Sequence, residues 1–253
     1  MRAATAGVSA TATASAHEVL TPATVAPTVT PTRLGSVKRA YSPSVSLSQK
    51  YDRVSEGFAA AEYADPAFYN RRRAEAVFAL GPALPPGATV LDLACGDASL
   101  ADEVLARGYR YLGVDPSAGM CAAARRRVGG RGAIEQGDFT TYVPSEPVDA
   151  TIVLRAWYLV DDRVEVLRRI GAYTRVKLVF DVSARQLSLE RVAEEVRLAG
   201  FDRLDTRPFF VSMQVVPPRL VDRALRTLER SGPLARFVAA RRFRVLCAAS
   251  RST

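Results

Sequence analysis

Short apolar segments alternate with amphipathic ones along the chain from residue 88 onward, after the segment LPPG. The apolar segments ATVLDLA, YRYLGVD, AIEQGD and VDATIVLR are each short, which is typical of buried strands. Between the first three lie DASLADEVLARG and SAGMCAAARRRVGG, whose composition and length favour helices. The pattern predicts right-handed βαβ units, and so a doubly wound, mostly parallel sheet of seven strands with helices on both faces.

The alternation continues to the end of the chain. DDRVEVLRRIGAY and SLERVAEEVRLAG predict helices, RVKLVFDVS predicts a strand, and two late strands are predicted near PFFVSMQVV and FRVLCAAS. PPRLVDRALRTLERSG predicts a helical insert at about 217–240. One face of that helix would carry Arg219, Arg223, Arg226 and Arg230, and another would carry Val221, Leu225 and Leu228.

Two helices are predicted before the sheet, in SQKYDRVSEGFAAAEY and DPAFYNRRRAEAVFAL. Asp65 suits the N-cap of the second, Pro66 suits its first position, and Gly81 would stop it. These helices predict a cap at 46–82 on an α/β core at 83–253, together one domain.

Residues 1–45 contain a single acid and no sustained period, so we expect a disordered tail. An organelle transit peptide and a mis-assigned start codon are the alternatives. His17, the one histidine of the chain, falls in this tail. The predicted domain therefore has no histidine for acid-base or metal chemistry.

The net charge of +9 comes mostly from arginine, and nine arginines lie within residues 218–253. Such a charge is compatible with nucleic acid or with an anionic substrate. No apolar run is long enough to cross a bilayer, so we expect a cytoplasmic protein with no membrane partner. The cysteines Cys95, Cys121 and Cys247 are widely spaced in apolar sequence, which favours structural thiols and no metal site.

Three carboxylates follow the predicted strands in step. Asp92 lies in the first strand, Asp115 ends the second and Asp138 follows the third. Ligands bind beyond the carboxyl ends of parallel strands, and an acid after the second strand can accept both hydroxyl hydrogens of a ribose. Each aspartate taken alone could instead cap the next helix.

The segments DLACGDAS and DPSAGM resemble the first motif and the following segment of the class I S-adenosylmethionine-dependent methyltransferases. The resemblance implies a Rossmann-like methyltransferase fold and S-adenosyl-L-methionine as cofactor. Ala94 to Asp97 would pass under the methionine part, Asp115 would bind the ribose, and Asp138 with Phe139 would hold the adenine. The full set of implied cofactor-binding residues is Tyr51, Asp92, Ala94, Cys95, Gly96, Asp97, Asp115, Pro116, Met120, Asp138, Phe139 and Leu154.

A nicotinamide dinucleotide is the competing cofactor, because Asp115 would serve its ribose equally well. Its fingerprint needs three glycines where this chain has Ala94, Gly96 and Ser99, and Asp92 would face the pyrophosphate. Alanine at 94 and 98 replaces two glycines that are usual in the methyltransferases, so a catalytically silent homologue remains open.

The segment RAWYLVDD is where the resemblance places the acceptor. Arg155, Trp157, Arg223 and Arg226 are the candidate substrate contacts, and Tyr158 or Asp161 is the candidate proton acceptor. The alternatives are that Trp157 lies in the core and that the acids only cap the next helix.

Nucleic-acid methylases would carry an N/D-P-P-Y/F segment or a cysteine nucleophile in this region, and neither is present there. The chain is therefore expected to methylate a small molecule, plausibly a specialised metabolite, mainly by proximity and orientation. An RNA-binding modification or accessory protein is the alternative.

Overall fold

The structure is a computed structural model that describes residues 62–183, 185–232, 234, 235, 237, 238 and 244–252. The expected tail, Tyr51 and all but the end of the first predicted cap helix lie outside the described residues. All described residues belong to one compact unit, Ala40–Thr253.

The second predicted cap helix is confirmed as α1, Pro66–Phe78. The Asp65 carboxylate accepts a hydrogen bond of 2.8 Å from the Phe68 N–H, and proline occupies the first turn, so the helix begins where its sequence predicts. Gly81 lies three residues beyond the helix with φ +70°.

The sheet elements follow the predicted order. The strands are β1 Thr89–Leu93, β2 Arg110–Asp115, β3 Ala133–Gln136, β4 Val148–Val153, β5 Thr174–Ser183, β6 Arg203–Phe209 and β7 Arg244–Ser250. The helices after α1 are α2 Ala101–Leu105, α3 Ala118–Val128, α4 Arg163–Tyr173, α5 Leu189–Leu198 and α6 Arg219–Glu229, with a 3₁₀ turn at Trp157–Leu159.

The strand order is β3-β2-β1-β4-β5-β7-β6. Strands β1 to β5 pair in parallel, and β7 runs antiparallel to both of its neighbours. The doubly wound, mostly parallel sheet of seven strands is therefore confirmed. The order reverses between β1 and β4, which makes the carboxyl ends of these strands the expected ligand-binding edge.

Two element boundaries were predicted wrongly. A late strand was predicted at PFFVSMQVV. The strand that pairs with β7 is Arg203–Phe209, so it ends at the second residue of that segment. Pro208 is tolerated in β6 since this is an edge strand. Helix α2 begins at Ala101 rather than in DASL, because Ala98 has φ +55°, which a right-handed helix does not allow.

Alternate residues of β1 face two different cores. Leu91 and Leu93 belong to a cluster with Trp157, whereas Val90 belongs to a cluster with Val77 of α1. Since side chains alternate along a strand, Asp92 points to the α1 side.

The insert that contains α6 leaves and rejoins the sheet at one edge. Strand β6 ends at Phe209 beside Arg244, the first residue of β7, which also pairs with Ser183 at the end of β5. Residues 210–243 therefore begin and end at the carboxyl edge of the parallel strands. Within the described residues, no helix combines the length and apolarity needed to cross a bilayer.

The faces of α6 follow the sequence pattern in part. Asp222 and Glu229 are its buried residues, whereas Val221 is 47% exposed. Of the predicted apolar positions, Leu225 and Leu228 do pack on the core. The helix is turned so that acids point inward, because Arg72 of α1 binds both of them.

Candidate functional site

The loop after β1 is built from alternating left-handed residues. Ala94, Gly96 and Ala98 have φ of 56°, 58° and 55°. The Cys95 N–H donates to the Val114 carbonyl at 3.0 Å and keeps the loop against β2. A Cβ built on Gly96 would meet no atom within 4 Å, so the outer side of the loop is open to a ligand.

Alanine in the left-handed region is strained by about 1–2 kcal/mol, a strain that glycine does not carry. We expect Ala94→Gly to raise the free energy of unfolding by about 0.5–1 kcal/mol, the relief being offset in part by the greater freedom of glycine in the unfolded chain. Urea unfolding of the two proteins measures the difference. A loss of stability would contradict the strain assigned to this loop.

The carboxylate of Asp115 joins the end of β2 to this loop. Its Oδ2 accepts from the Gly96 N–H at 2.8 Å and its Oδ1 accepts from the Ser117 N–H at 3.0 Å. A carboxylate at the end of the second strand is the type of group that binds the paired hydroxyls of a ribose. The structure thus brings Gly96 and Asp115 together as the sequence predicts.

The start of α3 and the end of β3 place the residues implied for adenine. Ser117 caps α3 by accepting from the Met120 N–H at 3.1 Å, and Met120 is buried. Asp138 is exposed and its Oδ1 accepts from both the N–H and the hydroxyl of Thr140. Phe139 lies in the core. The adenine contacts of Met120, Asp138 and Phe139 stay predictions, as does the cofactor contact of the exposed Pro116.

Asp92 is a buried carboxylate on the α1 side of the sheet. The Tyr111 hydroxyl donates to its Oδ2 at 2.9 Å. Burial raises the pKa of Asp92 to about 6, against the opposing effects of the Arg73 charge and the Tyr111 hydrogen bond. The carboxylate is therefore costly to the fold at neutral pH, which marks a position selected for something other than stability.

We expect Asp92→Asn to stabilise the protein at pH 8 by about 2 kcal/mol. The folded state holds the Asp92 proton more tightly than the unfolded chain does. The cost of the carboxylate therefore develops as the pH rises from about 4 to about 6, and asparagine avoids that cost. Urea unfolding at pH 4 and pH 8 measures the difference, which should vanish at pH 4. Asp138→Asn, at an exposed position, is the control, and equal effects of Asp92→Asn at both pH values would contradict this account.

The other polar residue of the loop points away from the open side. Asp97 is buried, and its Oδ2 accepts from Arg127 of α3 at 2.8 Å, while its carbonyl accepts from the same guanidinium at 2.9 Å. The side chain of Asp97 therefore anchors the loop to α3. A cofactor contact through its backbone stays a prediction.

Strand β4 ends in the buried Leu154 followed by Arg155, which has φ +62°. The Arg155 N–H donates to Asp181 of β5 at 2.6 Å, and its Nη1 donates to the Tyr63 hydroxyl at 2.8 Å. Glu62 lies 3.4 Å from Nη2. A non-glycine residue held in this conformation at the ligand-binding edge is a candidate functional residue.

Four neighbouring residues that sequence reasoning missed complete this corner. The rings of Tyr63 and Tyr69 lie 4.7 Å apart, and the Arg73 guanidinium lies 5.5 Å from the Tyr69 ring centroid. Arg73 Nε and Asn70 Oδ1 are buried without a hydrogen-bond partner. Asn70 and Arg73 belong to the polar run NRRR of α1, so no sequence signal set them apart from their neighbours.

The candidate acceptor residues fall in different surroundings. Trp157 is 2% exposed and packs on Phe180 with ring centroids 4.6 Å apart, which favours the core interpretation. Tyr158 and Asp161 are exposed, and the neighbouring Asp162 caps α4. The acceptor roles of Trp157, Tyr158 and Asp161 stay predictions.

The two insert arginines also differ. Arg223 is exposed, whereas Arg226 binds Asp222 of its own helix at 2.9 Å and contacts Glu75 of α1. Arg226 therefore has a structural ion pair, and the acceptor roles of both arginines stay predictions. In the part of the chain that the structure describes, no three His, Cys, Asp or Glu residues are grouped as a metal site would need.

The fold is Rossmann-like, and its β1–β2 corner is a candidate site for a ribose-containing cofactor. Residues 90–176 match the family model described as a methyltransferase domain. An uncharacterized methyltransferase of Geobacillus kaustophilus is 30% identical over 141 residues, which is 51% of this chain and 65% of the relative. A second uncharacterized methyltransferase, from another Geobacillus strain, is 28% identical, and the match covers 66% of that relative. The chain therefore spans just under two thirds of the length of these relatives.

Solved structures with the same fold include a TehB-like S-adenosylmethionine-dependent methyltransferase of Corynebacterium glutamicum (TM-score 0.54, 17% identity, 81% of this chain and 98% of that one). Phosphoethanolamine N-methyltransferase 2 of Haemonchus contortus, in complex with S-adenosyl-L-methionine, has TM-score 0.58 and 18% identity, and covers 83% of this chain and 60% of that one. Residues 90–176 therefore match a methyltransferase domain, on a fold that this chain shares with S-adenosylmethionine-dependent methyltransferases.

Proposed function

We propose that this protein transfers the methyl group of S-adenosylmethionine to a small-molecule acceptor with an anionic group, which Arg155 binds. The observation that carries the proposal is the strained Arg155 at the end of β4. It is fixed by Asp181 at its backbone and by Tyr63 at its guanidinium.

The described residues fit the cofactor. The Asp115 carboxylate lies at the end of β2 beside the open Gly96 backbone, a position that suits a ribose. The unpartnered buried Arg73 Nε is a donor and Asn70 Oδ1 is an acceptor. A carboxylate and an ammonium group, as at the methionine end of the cofactor, would satisfy such a pair.

The cofactor, when bound, supplies a methyl group on a positively charged sulfur that an acceptor atom can displace in line. The chain contributes position and exclusion of water. A connected aromatic group lies beside Arg155. It consists of Tyr63, Tyr69 and Phe209, and the centroids of successive rings lie 4.7 Å and 5.6 Å apart. Such orientation lowers a barrier of this type by about 7–11 kcal/mol.

Arg155 has donors to spare for an anion. Of the five N–H groups of a guanidinium, those of Nη1 and Nη2 meet Tyr63 and Glu62, and Nε has no acceptor among the described residues. A carboxylate or phosphate could displace Glu62, whose contact is long at 3.4 Å. Tyr158 and Asp161 remain the proposed proton acceptors, and their exposure allows exchange of a proton with water.

The test is formation of S-adenosylhomocysteine with a panel of carboxylated and phosphorylated small molecules, beside uncharged analogues. We expect turnover of at least one anionic acceptor, with KM raised about 10–100-fold by Arg155→Ala and less by Arg155→Lys, because a hydrogen bond to a charged group is lost. The affinity for S-adenosylmethionine should stay unchanged. Arg175→Ala, an exposed arginine at the opposite edge, is the control.

Two outcomes would overturn parts of this proposal. Turnover of neutral acceptors that Arg155→Ala leaves intact would remove the anionic acceptor. Tight binding of the cofactor with no turnover on any acceptor class would support the catalytically silent alternative instead.

A further inference from the structure

Helix α6 buries two acids and exposes two of its aliphatic residues, while Leu225 and Leu228 pack on the core. Asp222 and Glu229 are 9% and 5% exposed, whereas Leu220 and Val221 are 77% and 47% exposed. Leu220 and Val221 thus form an exposed aliphatic side of α6, next to a buried side that includes charged residues. Such an outward apolar side is a candidate binding surface.

The orientation of α6 is fixed by ionic contacts, so the aliphatic side cannot roll inward. Arg72 of α1, with a 3% exposed side chain, lies 2.6 Å from Asp222 and 3.1 Å from Glu229. Glu229 also accepts from the Phe210 N–H at 3.1 Å. Both acids must stay paired because an unpaired buried carboxylate is costly.

The exposed aliphatic residues are flanked by arginines. We call Val215, Val216, Leu220, Val221, Arg219, Arg223 and Arg230 the outer face. Val215 and Val216, in the segment before α6, are 61% and 44% exposed. The three arginines are exposed and form no ion pair with a described acid. The outer face therefore combines apolar surface with uncompensated positive charge.

The outer face lies at the edge of the molecule that holds the candidate site. Residues 210–243 leave and re-enter the sheet at the carboxyl edge of the parallel strands. Helix α6 also contacts α1 through Arg72, the residue next to Arg73. A surface that bound the outer face would thus adjoin the approach to that edge.

We propose that the outer face docks on an anionic lipid bilayer. Aliphatic side chains beside arginines fit the boundary between acyl chains and phosphate headgroups. RNA would meet the arginines but leave the aliphatic residues without a partner, since nucleic-acid surfaces of this kind rely on aromatic stacking. A second copy of the chain would bring like charges together across a two-fold interface. The proposal does not depend on methyl transfer.

The experiment is co-sedimentation of the full chain with vesicles of phosphatidylcholine containing phosphatidylglycerol, and with pure phosphatidylcholine. We expect binding to the anionic vesicles that falls with salt. Arg223→Gln with Arg230→Gln should weaken it roughly 10–30-fold, and Leu220→Ser with Val221→Ser should weaken it by a similar factor.

Matched controls separate the outer face from general surface properties. Leu198→Ser removes an aliphatic side chain that is 50% exposed at the end of α5, and Arg110→Gln removes an exposed arginine at the start of β2. Both should leave vesicle binding unchanged. All variants should keep the unfolding midpoint of the parent chain, since the residues are exposed.

Several results would overturn the proposal. One is absence of vesicle binding, and another is binding that the controls weaken as much as the outer-face variants do. Binding of single-stranded RNA that Arg223→Gln with Arg230→Gln abolishes, without any vesicle binding, would assign the face to nucleic acid. A dimer in light scattering that Leu220→Ser with Val221→Ser dissociates would assign it to a second copy.

Discussion

Replacing Arg72 with alanine is expected to lower the free energy of unfolding by about 3–5 kcal/mol. Arg72 binds Asp222 and Glu229, and its removal leaves these acids buried with one partner fewer. Burial alone would raise the pKa of Asp222, but hydrogen bonds from Arg226 and Arg72 lower it below its ordinary value. The ion pair thus stabilises the fold above about pH 4 and loses this effect as the pH falls further.

Urea unfolding at pH 7 measures the change. Arg72→Lys should cost less, because it retains a charge but not the two separate hydrogen bonds. Arg168→Ala is the matched control: its pair with Glu165 has side-chain exposures of 55% and 46%, so its removal should cost about 1 kcal/mol or less. We also expect trypsin to cleave the Arg72→Ala variant faster after Arg223 and Arg226, since α6 loses its anchor. Equal losses for Arg72→Ala and Arg168→Ala would contradict the role given to Arg72.

Replacing Asp115 with asparagine is expected to weaken binding of S-adenosylmethionine about 100-fold. An amide has one carbonyl oxygen where the carboxylate has two, so it cannot accept from Gly96 and Ser117 together and still serve ribose hydroxyls. Calorimetric titration of S-adenosylmethionine and of S-adenosylhomocysteine measures the effect. NAD should bind neither the parent chain nor the variant.

Asp149→Asn is the control for this substitution. Asp149 also accepts from a backbone N–H, that of Thr89 at 2.7 Å, but it lies at the start of β4, on the opposite edge of the sheet. Its replacement should change stability and leave cofactor affinity within about threefold. A loss of affinity of the same size in both variants would mean that Asp115 acts through stability alone.

The fold could be predicted from the sequence because its signals are local. Strand and helix segments alternate in hydrophobic pattern, and Asp65 with Pro66 marks the start of α1. The boundary of β6 could not be predicted from the sequence. It depends on which residues pair with β7, and this pairing is not visible in PFFVSMQVV. The start of α2 was also hidden, because the left-handed conformation of Ala98 is imposed by the loop and is unusual for alanine.

The proximity of Gly96 and Asp115 at the β1–β2 corner could be predicted from the sequence, whereas their cofactor contacts stay predictions. Asp115 and Gly96 follow a motif, and they are joined by a hydrogen bond. The corner at Arg155 depends on contacts between distant segments, such as Arg155 with Tyr63 and Asp181. The burial of Asp222 and Glu229 could not be predicted for the same reason, since both are paired with Arg72, which lies far away in the chain.

The antiparallel β7 gives the protein a replaceable region. Because β6 ends and β7 begins at the same edge, residues 210–243 can change in length or sequence without altering the pairing of any strand. The cofactor corner at β1 and β2 lies on the other half of the sheet. A change confined to the connection between β6 and β7 would therefore leave in place the strands that carry the candidate cofactor corner.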